Sequence, residues 1–261
     1  MRLATWNVNS IGARLPRLLP WLAEAAPDVV ALQETKCADS AFPYDALADV
    51  GYEAAHNGDG RWNGTALLSR VGLADVALSF ADQPVFAPGD ALLPPAVEPR
   101  AVGATCRGLR IWSLYVPNGR SVDDPHYAYK LSWLHALRDA LAAEPTPLVV
   151  TGDFNIAPTD DDVWDIGQFA GSTHVTPAER AAYSALLDLG LVDVPARPGK
   201  GDRAFTYWDY RAGMFHKDLG MRIDLVLASP SLTVRDAYVD RAARKGTSPS
   251  DHAPVVVDLE F

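Results

Sequence analysis

Residues 147–155 read PLVVTGDFN. The apolar run is too short for a helix and rich in valine, the pattern of a strand buried on both faces. It closes on an acid and an amide, Asp153 and Asn155. A buried carboxylate without a partner is costly, so a strand that ends on one needs a reason. The habit recurs outward in both directions. RLATWNV (2–8) alternates as a strand and closes on Asn7, and DVVALQE (28–34) closes on Glu34. Residues 101–106 and 109–116 read as a strand pair joined at Gly108, bringing Tyr115 and then Asn118. RIDLVLAS (222–229) carries Asp224, and SPSDHAPVVVDLEF (248–261) sets Asp251 and His252 before the last strand. Six elements that end alike imply strands converging on one polar site.

Between them lie few helices. Residues 14–25 read as a short helix with Pro16 near its first turn, and residues 124–143 as an amphipathic one. Residues 176–190 form a third, with Thr176 as N-cap, Pro177 at the first position and Glu179 closing a capping box. The turn HNGDGRWNG (56–64) leads into the strand GTALLSR, and the proline-rich stretch 79–99 reads as a surface loop or lid, or equally as a floppy insertion. No repeat or linker divides the chain, so a helix-covered β-sandwich in one domain over residues 1–261 is expected.

Of the 261 residues, 48% are hydrophobic and 21% charged, enough to bury a sizeable core. No apolar run is long enough to span a membrane and the N-terminus lacks a signal-peptide pattern, so a cytoplasmic protein with no membrane partner is expected. Cys37 and Cys106 form no metal or redox pattern; they suit a reducing compartment and read as core residues. A net charge of −10 argues against non-specific nucleic-acid binding. It weighs little against an enzyme whose acids gather at a cation while arginines form a local basic face.

The sequence offers no nucleophile elbow, P-loop or Cys/His cluster. What it offers is hard oxygen donors and one histidine in context. Such a set suits Mg²⁺ or Mn²⁺ acting on a phosphate.

The segments TWNVNS, LQETK, SLYVPNGR, TGDFNIAP, RIDLVLAS and SDHAP, in this order, resemble the bacterial exonuclease III type of apurinic/apyrimidinic endonuclease, within the endonuclease/exonuclease/phosphatase superfamily. The resemblance runs from Arg2 to the last strand. SDHAP and the GD-x-N motif are shared with phosphoinositide phosphatases, sphingomyelinases and deoxyribonuclease I, whereas LQETK, YVPNG and FTYWDYR point to the abasic-site branch. The resemblance implies a four-layer α/β-sandwich, two mixed β-sheets face to face with helices outside. It also implies a monomer that uses one or two Mg²⁺ ions, with Mn²⁺ as an alternative. Its substrate would be double-stranded DNA with abasic sites or blocked 3′ ends. It would cut 5′ to the lesion, leaving a 3′-hydroxyl and a 5′-deoxyribose phosphate, alongside 3′-phosphatase, 3′-phosphodiesterase and 3′→5′ exonuclease activities.

By the same resemblance Glu34 is the main metal ligand, with Asn7 and Asp251 near it and Asp153 and Asn155 contributing. Asp153 orients or deprotonates the attacking water, and Asn155, on the same face of an extended chain, holds that water or a phosphate oxygen. His252 is the essential histidine and Asp224 fixes its tautomer. Tyr115 donates to the phosphate or, as phenolate, assists the water, and Asn118 binds phosphate. Arg120 and Arg222 are candidate phosphate or backbone contacts. Asn9, a further candidate phosphate or DNA contact, stands where some relatives carry Asp, which leaves the number of ions open. Trp62 and Asn63 resemble a groove-contacting loop. Tyr207, Trp208 and Met221 would line a pocket for the extruded abasic sugar, with core packing the alternative for Trp208. Two rivals stay in view: a 3′-end-processing enzyme or a phosphoesterase for small or lipid phosphates on the same fold, and a non-catalytic DNA-binding paralogue.

Overall fold

The computed structural model describes residues 1–87 and 95–261. Among these, twelve strands form: β1 (Arg2–Asn7), β2 (Val29–Gln33), β3 (Glu53–Asn57), β4 (Thr65–Ser69), β5 (Ala74–Ala77), β6 (Ala101–Cys106), β7 (Leu109–Tyr115), β8 (Leu148–Asp153), β9 (Val192–Asp193), β10 (Asp224–Ala228), β11 (Thr233–Val239) and β12 (Val255–Glu260). The α-helices are α1 (Ile11–Ala25), α2 (Tyr44–Ala48), α3 (Pro125–Leu141), α4 (Pro177–Leu187) and α5 (Met214–Lys217). The strands form two six-stranded sheets, in the orders β11-β12-β1-β2-β4-β3 and β5-β6-β7-β8-β10-β9. Each is mixed, with one parallel pair at its centre, β1–β2 and β7–β8.

The strands alternate between two buried faces. Leu3, Val29, Ala31, Leu67, Val102, Ile111, Val149, Val226 and Val257 form the layer between the sheets. The alternate residues Ala4, Trp6, Val30 and Leu32 meet Leu18, Trp21 and Leu22 of α1. On the far side, Trp112, Leu114, Val150 and Leu225 meet Trp133, Leu134 and Leu137 of α3 and Leu186 of α4. That is the four-layer α/β-sandwich, and it explains why PLVV reads as continuously apolar.

Several local expectations need correction. α1 starts at Ile11 under Ser10, so Pro16 and Pro20 lie inside it rather than at its first turn. α4 keeps the capping box of Thr176 and Glu179 but ends at Leu187. Cys106 is buried in the inter-sheet layer, while Cys37 is half-buried outside it. Part of the proline-rich stretch, residues 88–94, lies outside the described residues. The ends of that stretch pair at Phe86 and Ala96.

Register brings the polar strand ends together. Tyr115 pairs with Asp153 across β7–β8, and Asp224 pairs with Asp153 across β10–β8. Asn7 pairs with Gln33, so Glu34 follows directly beside it. Gly152 makes this possible: a Cβ there would lie 1.9 Å from Leu114 O, and its φ of +146° suits glycine.

Candidate active site

The carboxylates and the histidine meet at the open ends of both sheets. Glu34, Tyr115, Asn118, Asp153, Asn155, His174, Tyr207, Met221, Ile223, Asp251 and His252 line one concavity of about 190 Å³. Larger hollows lie elsewhere among the described residues, one of them against α1, and contain none of these groups. The loops around the site hold non-glycine residues at positive φ: Asn9 (45°), Ser10 (86°), Glu34 (51°), Lys36 (52°), Arg120 (58°) and Asn155 (50°). Such conformations cost free energy and cluster where surrounding structure over-determines them.

At the centre, His252 Nδ1 lies 2.8 Å from Asp224 Oδ2, and His252 Nε2 lies 3.8 Å from Asp153 Oδ2. The imidazole is thereby fixed, its Nε2 turned to Asp153. Asn7 Nδ2 donates to Glu34 Oε1 at 2.8 Å and to Asp153 Oδ2 at 2.9 Å. Expected as a ligand, Asn7 is here a donor that staples two carboxylates. Lys36 Nζ reaches Glu34 Oε2 at 2.7 Å and Asn9 Oδ1 at 2.6 Å. Asn9 in turn donates to Asp251 Oδ1 at 2.9 Å, so the amide in place of an acid links Lys36 to Asp251.

These contacts set the protonation states. Burial pushes the Asp153 carboxyl up to about 7; His252 opposes this, while Asp224 and Glu34 add to it. Burial works against a charged His252, but Asp224, hydrogen-bonded to it, and then Asp153 and Asp251 outweigh it and raise the imidazole to about 10. Burial likewise opposes the Glu34 charge, yet the Lys36 ammonium and the Asn7 amide hold that carboxyl below its ordinary value. The Tyr115 phenol is pushed well above its ordinary value by burial, then by Glu34 and Asp153, which is the state of a hydrogen-bond donor.

The donor set fits a hard divalent cation. Glu34, Asp153 and His252 each offer a ligand atom within 4.8 Å of the others. Asp224 Oδ1 is buried without a hydrogen-bond partner. His252, held as an imidazolium, has no lone pair to offer, so the carboxylates of Glu34 and Asp153, whose charges oppose each other, are the part of the site that a cation relieves. A ligating Asp153 must first lose its proton, and its raised pKa delays that loss. Metal affinity should therefore rise about tenfold per pH unit as pH climbs toward 7, then level off. Calorimetric titration with Mn²⁺ at pH 6.0, 7.0 and 8.0 measures this; an affinity flat across the series would contradict the coupling.

Other expected residues fall differently. Asn155 does not continue an extended chain. Its N–H turns back to Asp153 Oδ1, its Nδ2 donates to Val116 O, and its Oδ1 faces Asn118 Nδ2 at 3.1 Å. Trp208 is 1% exposed, packs on Phe215 and bonds Asp218, so it is core, and Tyr207 and Met221 line the concavity without it. Arg222 is bound by Asp162 at 2.6 Å and Asp193 at 2.9 Å, a strut between loops rather than a free phosphate contact. Asn63 is tied to Glu98. Trp62, beneath Arg61, is 67% exposed, and Arg120 is also exposed.

Sequence reasoning missed His174, Ile223 and Lys36. His174 Nε2 lies 3.1 Å from Asn155 Oδ1 and 3.2 Å from Asn118 Nδ2. Burial, and then the Lys130 charge, lower its imidazole to about 4, so it is neutral. Nothing around THVTP marks it. Lys36 was legible in principle, two residues past Glu34 in LQETK.

Residues 4–252 match the Endonuclease/Exonuclease/phosphatase family. The chain belongs to that family. A Haemophilus influenzae relative named Exodeoxyribonuclease III is 30% identical over 275 residues, covering 100% of both chains. Among solved structures, a 3′-5′ exonuclease from Neisseria meningitidis is 36% identical with a TM-score of 0.91. A 3′ phosphatase from Neisseria bound to a product DNA hairpin is 35% identical at 0.91. An AP endonuclease from Archaeoglobus fulgidus is 34% identical at 0.90. Each of these three structures covers 100% of this chain and is covered 100% by it. No helix among the described residues is long and apolar enough to cross a membrane.

Proposed function

We propose that this chain is a Mg²⁺-dependent DNA repair nuclease that hydrolyses the bond between phosphorus and the 3′ oxygen of DNA. Cleavage 5′ to an abasic site, removal of a 3′ phosphate and 3′→5′ exonucleolysis all break that one bond and leave a 3′-hydroxyl. The observation that carries the reading is the Asp153–His252–Asp224 chain beside Glu34 and Tyr115. In it, a carboxyl poised near 7 faces an imidazolium. A base works best with a pKa near the working pH, and Asp153 fits the group that takes the proton from water. His252, with its tautomer held by Asp224, donates to a phosphoryl oxygen. Tyr115 and Asn118 add donors where charge grows in the transition state. Glu34 and Asp153 would hold the cation. When bound, it supplies charge stabilisation on the phosphoryl oxygens. The exposed Trp62 and Arg120 are proposed contacts to the duplex.

A screen against inositol phosphates and lipid phosphate headgroups tests the substrate class. Turnover of any of these above that of a 3′-phosphorylated nicked duplex would overturn the DNA reading.

A second reading, in which 3′ ends are processed and internal abasic sites barely cut, is favoured by His174. Its ring lines the small concavity beside Asn118 and Asn155 and takes up room there that an extruded abasic sugar would need. Pocket changes of this size shift discrimination by about 10–200-fold. His174→Ala is expected to raise cleavage at a tetrahydrofuran site relative to 3′-phosphate release by about tenfold. A ratio unchanged by the substitution would remove His174 from substrate selection.

A further inference from the structure

Both side chains of the Lys130–Glu179 pair are 0% exposed, and the two charges meet at 2.5 Å. An ion pair this deep is a poor source of stability, since apolar residues of like volume do as well or better. What distinguishes it is where its remaining hydrogen bonds go. Lys130 Nζ donates to Asn155 O at 2.7 Å and to Asn118 O at 3.3 Å. Glu179 Oε1 accepts from His174 N at 2.9 Å, while Oε2 accepts from Thr176 N and Oγ1. The Lys130 stem also supports the loop after β7: a Cβ on Gly119 would lie 3.3 Å from Lys130 Cδ. One ammonium on α3 and one carboxylate on α4 thus grip three loops, after β7, after β8 and before α4.

Those loops carry Asn118, Asn155 and His174, one wall of the concavity. Their side chains are linked to one another, with Asn155 Oδ1 facing both Asn118 Nδ2 and His174 Nε2. Each held group lies at a positive φ or beside one: Asn155 at 50°, His174 at 78°, and Asn118, which is followed by Gly119 at 92° and Arg120 at 58°. Without a fixed partner beneath them these loops have other conformations open to them.

The geometry points to Lys130 and Glu179 as positioning residues: a buried ion pair that sets the loops bearing Asn118, Asn155 and His174, and through them where the phosphate ester sits. The inference rests on the reading of the concavity as a phosphate-ester site. A displacement of about 1 Å in such a wall costs roughly 100-fold in rate.

The test is the double variant Lys130→Met with Glu179→Gln, which removes both charges and keeps an acceptor for α4. Its control is Arg110→Met with Glu144→Gln, a partly buried pair at 2.9 Å that holds only Asp75 O and Trp112 Nε1 besides. Melting temperature, kcat and KM are measured on a nicked duplex with a 3′ phosphate. Expected is a fall in kcat of about 100-fold with KM changed only a few-fold, while the control keeps its kcat at a comparable loss of melting temperature. If the double variant does not fold, Lys130→Gln with Glu179→Gln, which leaves no unpaired charge and retains a donor at position 130, should show an intermediate fall of about tenfold. Equal kcat in the test and control variants would overturn the inference. If the wild-type protein turns over no DNA phosphate ester, the functional reading fails by itself. The crystal structure of the double variant then decides: displaced Asn118 and Asn155 support the positioning role, and loops superposing on the wild type refute it.

Discussion

Asp153→Asn should lower kcat by about a thousandfold on every DNA phosphate ester, with DNA affinity within a few-fold of wild type. The substitution keeps the shape of the side chain and its place beside Asn7, but removes the proton acceptor that faces His252 Nε2. It touches none of the exposed residues proposed to meet the duplex, so binding should survive. A second readout sharpens the test. Burial raises the Asp153 carboxyl to about 7, so at pH 8 the metal-free folded protein holds its charge at a cost. The raised pKa contributes stability below the unfolded-state value and loses it as pH rises through 7. In EDTA at pH 8 the Asn variant should therefore melt no lower than wild type. An inactive variant that also melts lower would have lost its fold rather than its base.

The second large effect belongs to Glu34→Gln. Glu34 is the carboxylate that Lys36, Asn7 and Tyr115 all address. Removing its charge should weaken Mn²⁺ binding by about 100-fold and leave activity recoverable in part by excess metal. Titration of activity against Mn²⁺ concentration reads this directly. A variant whose activity saturates at the wild-type concentration would show that Glu34 does not hold the cation.

Much of this arrangement was legible in the order of residues. Strands bounded by Asn7, Glu34, Asp153 and Asp224 announce a shared polar edge, because a buried polar group without a partner is costly. Many short apolar strands with few helices between them predict a helix-covered sandwich, and the continuously buried β1, β2, β7 and β8 follow it. What stayed hidden depends on contacts made across the chain. Trp208 and Arg222 sit in motifs that look functional, yet one is taken by Asp218 and Phe215 and the other by Asp162 and Asp193. Asn155 leaves the extended path because its own N–H closes on Asp153. β3, β5, β9 and β11 went unread, since each borders a sheet and exposes part of its length, which blurs the apolar pattern. His174 and Lys130 are brought to the site by α4 and α3, and no local pattern marks a lone histidine or a buried lysine.

The most direct test of the central claim uses a labelled duplex carrying one tetrahydrofuran abasic analogue, and the same duplex nicked with a 3′ phosphate, each incubated with the protein in Mg²⁺ and in EDTA. Hydrolysis of the P–O3′ bond to a 3′-hydroxyl in Mg²⁺ on at least one of them, abolished by EDTA, is the predicted result, and the ratio between the two gives the balance of activities. Neither duplex changed in Mg²⁺, or the same products formed in EDTA, would contradict a metal-dependent DNA repair nuclease.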